Sequence, residues 1–241
     1  MWLVLLIPLV ATAFADTTDR QARTLPLPEG RALTIEVTVG SVRIDGWDRD
    51  EVDIVIERRV PSAAHQARLP VVIDDTPSRV VIRAVQIDGG TDAALRADIT
   101  VKVPRGALVD SVRVLEGRLA LNGFGGSIWA DVRRGPIDAS DVTGSLRLES
   151  GIGDVAVSGA RLAPGGLLRL RTFNGDVRLR LSERPANARI MALALNGGIT
   201  STIPLTMKQA WGPRWGEATL GAGDPVISID VVTGTIEIRS P

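Results

Sequence analysis

The sequence predicts an all-β protein: a single-chain β-solenoid, or β-helix-like stack, with an irregular N-terminal β-sheet region as its cap. Three observations predict it. Apolar and polar residues alternate in short runs broken by Gly, Pro, Asn and Asp, the period-two signature of half-buried strands. No window carries a convincing helical period. A hexapeptide pattern, x-Gly-x-aliphatic-x-aliphatic, recurs at a nearly constant step through the C-terminal half.

From the N-terminus, residues 1–15 read as a signal peptide. The segment is apolar from Trp2 to Val10 and ends in Ala13-Phe14-Ala15, a small-x-small cleavage pattern followed by polar Asp16-Thr17-Thr18-Asp19-Arg20. The run contains Pro8 and falls short of the roughly 20 apolar residues that cross a bilayer. Cleavage leaves no transmembrane helix; retention leaves an N-terminal anchor. Residues 16–23 are expected to form a flexible N-terminus. Residues 24–103 are expected to form the β-sheet cap, with strands such as Leu33-Thr34-Ile35-Glu36-Val37 and Val52-Asp53-Ile54-Val55-Ile56-Glu57, and one helical turn within 62–68.

Residues 104–241 carry the repeat. Gly117, Gly135, Gly153, Gly175 and Gly197 are separated by 18, 18, 22 and 22 residues; Gly40 belongs to an earlier relative and Gly234 to a last copy. A fixed period near 20 in an all-β chain implies rungs that cannot fold alone and stack about 4.8 Å apart around a shared core. Glycine suits the corner, where the backbone needs conformations that side chains disfavour. Alternation points Leu168, Leu170, Val177, Leu179 and Leu181 inward, and Arg169, Arg171, Arg178 and Arg180 outward. Residues 203–225, with Pro204, Pro213 and Pro225, break the period and read as a loop insertion before the last rung.

Composition removes several classes of function. Lys+Arg and Asp+Glu total 28 each, so the net charge is zero. A nucleic-acid binder needs a basic excess to displace phosphate counterions. With no cysteine, the chain has no disulfide, no thiolate metal site, no cysteine nucleophile and no lipoprotein-type anchor. Its one histidine, His65, has no triad partner in the sequence. No Gly-x-Ser-x-Gly occurs, and no glycine-rich phosphate loop precedes a helix. No cofactor is implied.

Four groups of residues remain as candidates. Asp154 and Asp176 hold the same register in adjacent rungs, so their carboxylates should stack about 5 Å apart, as a solvated pair or a weak cation site. Asp45, Asp48, Asp50 and Asp53 cluster in a turn with Trp47, lacking the glycine-spaced order of a calcium loop. Arg147, Arg169, Arg171, Arg178 and Arg180 form either a solvated face or a stripe for acidic glycans or lipid head groups. Trp211 and Trp215 either seal the stack or contact a partner.

Leu33–Val52, LTIEVTVGSVRIDGWDRDEV, resembles the opening of the bacterial "putative adhesin" domains, a β-strand-repeat family of unknown function. The likeness continues through Thr100-Val101-Lys102-Val103-Pro104 and the Gly-aliphatic rungs, closing with Leu220-Gly221-Ala222-Gly223 and Thr233-Gly234-Thr235-Ile236. It covers about residues 24–239 and implies a β-helix-like fold at the cell envelope, with no ligand or functional residue carried over. The expectation is a non-catalytic exported protein, periplasmic, cell-surface or secreted, that binds an envelope protein or a polysaccharide. The alternatives are a carbohydrate-active enzyme of β-helix type and a structural protein that self-associates through its ends.

Overall fold

The computed structural model describes residues 17–209 and 212–241. The expected signal peptide therefore lies outside the described residues. The described residues are all-β, as the alternation implies: one 19-stranded sheet with a single 3₁₀ turn among them, at Ala63–Arg68. No helix among the described residues is long and apolar enough to cross a membrane.

The N-terminal strands are β1 (Thr17–Pro26), β2 (Ala32–Trp47), β3 (Glu51–Val60), β4 (Val71–Asp75), β5 (Arg79–Ala84) and β6 (Arg96–Pro104). The repeats begin with β7 (Leu108–Asn122), β8 (Ser127–Arg134), β9 (Ile137–Ser140), β10 (Ser145–Ile152) and β11 (Val155–Ala160). They continue with β12 (Leu167–Asn174), β13 (Val177–Leu181), β14 (Ala188–Asn196) and β15 (Ile199–Ser201). Last come β16 (Thr206–Gln209), β17 (Arg214–Leu220), β18 (Val226–Thr233) and β19 (Ile236–Arg239).

Pairing sorts these strands into two parallel ladders. The first runs β5, the first half of β2, the first half of β7, β8, β10, β12, β18 and β14. The second runs β6, the second half of β2, the second half of β7, β9, β11, β13, β19 and β15. Val155 pairs with Ile137 on one side and Val177 on the other, and all three are fully buried. Inward residues of both ladders belong to one continuous aliphatic cluster. Each such Val, Ile or Leu contributes about 1.5–3 kcal/mol on leaving water.

At the corner between ladders the glycines stack directly. In spatial order they are Gly40, Gly117, Gly135, Gly153, Gly175, Gly234 and Gly197, and a Cβ on any after the first would meet the preceding glycine's carbonyl within 2.3 Å. Ser150 and Thr172 reach the same corner from inside, donating to the carbonyls of Gly135 and Gly153 at 3.0 and 2.8 Å.

Four expectations need correction. Residues 17–23 are not a free tail: they are the larger part of β1, which pairs antiparallel with β3, where Asp19 and Arg20 meet Arg58 and Glu57, while Arg23 reaches Asp75 on β4. The N-terminal region is not a separate cap, since β2 runs unbroken through both ladders. Residues 203–225 are not simply a loop. They contain the antiparallel hairpin β16–β17, which pairs with β14 and covers the end of the first ladder. The last repeat copy is not the last rung: β18 and β19 lie between β12 and β14 and between β13 and β15.

Antiparallel strands thus close both ends of the first ladder, β4 at one and the hairpin at the other. Strands of reversed direction, charged on their outer side, make poor templates for adding further parallel rungs.

Candidate functional site

Asp154 and Asp176 lie side by side just before β11 and β13, where the second ladder begins, and Arg178 sits between them. Its guanidinium donates to Oδ2 of Asp154 and to Oδ2 of Asp176, each at 3.0 Å. The backbone N–H and hydroxyl of Thr235 donate to Oδ1 of Asp176 at 2.8 and 2.9 Å, and the backbone N–H of Asp176 donates to Oδ1 of Asp154 at 2.9 Å. These Thr235 bonds, with Arg178, hold the Asp176 carboxyl below its ordinary range. The hydrogen bond and charge of Asp154, with the charge of Asp176, raise Arg178. The oxygens expected to face an ion face protein donors instead.

The arginines separate onto two faces. Arg169 and Arg171 project from β12 on the outside of the first ladder, whereas Arg178 and Arg180 project from β13 on the outside of the second. Arg169 lies 3.7 Å from Asp230. Trp215 joins the first face through the hairpin: it pairs with Leu193 and is half-buried, its indole N–H donating to Glu217 at 3.2 Å. Trp211 lies outside the described residues. His65 donates to or accepts from Ser62 on the 3₁₀ turn at 2.8 Å. In the Asp45–Asp53 turn, Asp45 pairs with Arg43, Asp48 with Arg105 and Asp53 with Thr24, while the Trp47 indole N–H donates to the Glu51 carbonyl.

Around Trp215 the structure gathers apolar residues that alternation alone assigns to solvent. Phe173 follows Arg169 and Arg171 on the outward side of β12 and is 61% exposed. Val232 on β18 and Leu195 on β14 stand one residue beyond the paired Thr172, Val231 and Ala194, which puts all three on one line across adjacent strands. Leu193 and Met191 flank them, partly covered. The result is an apolar patch on the outer face of β12, β18, β14 and β17, with Arg169, Arg171, Arg189 and Lys208 among and around it.

A signal for this patch exists in the sequence. In Ala192-Leu193-Ala194-Leu195 the alanines are fully buried and the leucines face outward, reversing the size order that core packing prefers. An exposed aromatic beside such leucines is unusual on a face that only has to stay soluble.

The fold and this face define a class: an all-β protein built on one large sheet, with an outer face that is apolar and basic. Solved structures share that fold. A "putative cell adhesion protein" from Clostridium sporogenes superposes with a TM-score of 0.54 at 11% identity, over 93% of this chain and 100% of that one. A "putative adhesin" from Bacteroides fragilis has a TM-score of 0.45 at 13% identity, over 92% of this chain and 97% of that one. The first shows a shared fold, and the resemblance read from residues 24–239 is to proteins of the same name. No protein-family profile matches the chain, and no curated protein does.

Proposed function

We propose that this is a non-catalytic, exported binding module of the cell envelope. Its two ladders are the faces of one coil, a β-solenoid, and the outer face at the C-terminal end of the first ladder meets the partner. One observation carries this reading: Trp215, Arg169 and Arg171, singled out independently in the sequence, converge on one outward patch with Phe173 and Leu195. Core-type side chains held in water cost solubility, and a binding role offsets that cost. Export rests on the N-terminal pattern ending Ala13-Phe14-Ala15 and on the name of the shared fold.

Crosslinking in intact envelopes tests the reading. A photoreactive residue at Phe173 should yield a discrete adduct, and one at Ser158, on the other ladder's outer face, should not. Equal labelling at both positions, or none at either, would remove the assignment of the binding face.

A further inference from the structure

The partner face just proposed also carries a charge pattern, and from it we infer that its occupant is an anionic lipid surface. The inference rests on that reading and names the ligand. On the outward positions of β12, β18, β14, β17 and β16 there are four cations, Arg169, Arg171, Arg189 and Lys208, and two anions, Asp230 and Glu217, which leaves an excess of two positive charges on a chain whose total is zero. Asp230 pairs with Arg169 and Glu217 with Lys208. Arg171 and Arg189 make no ion pair within 4.0 Å among the described residues, although Arg171 stands in register between Glu149 and Asp230 and the charge of Arg189 reaches Glu217.

The second ladder differs in its neighbours rather than in its charge. There Arg178 is clasped by Asp154 and Asp176 and Arg239 by Glu237, while Arg180, like Arg171, forms no ion pair among the described residues. No cluster of outward aromatic and leucine side chains surrounds it on β13, β19 and β15. Basic residues in net excess, interleaved with Phe173, Trp215, Leu193 and Leu195, match the composition that lies in a membrane interface, where aromatic rings reach the acyl boundary and guanidinium groups meet phosphate.

Shape favours the same occupant. Phe173, 61% exposed, and Leu195, 39% exposed, stand out from the sheet face, with Trp215 and Leu193 partly covered beside them. A protein partner would need matching hollows to desolvate such side chains, whereas a fluid interface adapts to them. A second copy of this chain fits poorly, because face-to-face packing would bring two sets of unpaired arginines together.

Single-cysteine reporters make the test clean, since the chain has no cysteine. A polarity-sensitive fluorophore at Ser228→Cys, between Arg169 and Met191 in register, reports on this face, and one at Ser158→Cys on the other. Phosphatidylglycerol vesicles added to the full chain should blue-shift the first reporter and leave the second unmoved, with phosphatidylcholine giving at least a tenfold weaker response. In the Ser228→Cys background, Phe173→Ser or Arg171→Glu should each weaken vesicle binding about tenfold with an unchanged melting temperature. If Phe173→Ser fails to fold, Arg171→Glu carries the measurement. An unmoved Ser228→Cys reporter, or equal responses to both lipids, overturns the inference. If that reporter stays unmoved while a crosslinker at residue 173 captures an acidic envelope protein, the binding face stands and the lipid is wrong. If neither responds, both fall.

Discussion

A Cβ on Gly234 would stand 2.0 Å from the carbonyl oxygen of Gly175, and one on Gly197 would stand 1.7 Å from the carbonyl oxygen of Gly234. The glycine nearest the C-terminus thus lies between two that precede it in sequence. The chain finishes β13, builds β14 and β15 two places along the stack, folds back through the hairpin and returns to fill the gap. Until β18 arrives, the facing edges of β12 and β14 have no partner.

The close stacking predicts a large penalty for any side chain at this corner. Gly234 has φ +138°, which L-residues avoid, and the carbonyl above leaves no room. Gly234→Ala should cost at least about 3 kcal/mol, since both strain and backbone displacement apply. Gly30→Ala is the control: φ is +84° but nothing lies within 4 Å of the added methyl, so about 1 kcal/mol of strain is all that is expected. Urea denaturation of both variants decides it, and equal losses would mean that stacking is not the cause.

The inserted position of β18 predicts unusual protection for a C-terminal segment. Terminal strands ordinarily fray. Here the amides of Ile227, Ile229 and Val231, on a strand flanked on both sides, should exchange as slowly as those of Leu168 and Leu170. Hydrogen exchange read by mass spectrometry tests this. Fast exchange over residues 226–233 would contradict the internal placement.

How much of this was legible beforehand follows from which interactions are local. Glycine spacing and alternation depend on neighbouring residues, so the inward set of Leu168, Leu170, Val177 and Leu179, and the contact between Asp154 and Asp176, could be read directly. Rung order could not, because Gly197 and Gly234 carry the same local motif and only long-range pairing decides which sits beside Gly175. The hairpin was hidden by its prolines and glycines, which suggest a loop, although β16 needs only four residues to pair. The patch was half visible. Trp215 stood out by rarity, while Phe173 sat behind two arginines that made its strand look simply solvated.

Asp176 predicts a specific acid response. Hydrogen bonds from Thr235, then the charge of Arg178, lower its folded pKa below the ordinary carboxylate value of about 3.9. A depressed folded pKa contributes stability that is present above the unfolded value and lost as pH falls through the folded one. Asp176→Asn should therefore be less stable than wild type at pH 7, and the gap should narrow as pH drops below about 4. Urea midpoints at neutral and acidic pH measure the gap; a constant difference would show that the charge of Asp176 plays no part.

Arg178 predicts how this carboxylate pair treats calcium. Calcium needs six to eight oxygen ligands, and carboxylates that can turn toward it. In the wild type both Oδ2 atoms bind the guanidinium at 3.0 Å and both Oδ1 atoms accept backbone N–H groups, so an approaching ion meets a positive charge and no free lone-pair cluster. Arg178→Ala leaves two anionic oxygens on strands about 4.8 Å apart with their repulsion uncompensated. A divalent ion then relieves that repulsion. Millimolar calcium, the range typical of weak extracellular sites, should leave the wild-type melting temperature unchanged and raise that of Arg178→Ala. Equal calcium stabilisation of both proteins would show that the guanidinium does not block the pair, and would restore Asp154 and Asp176 as a cation site in the native chain.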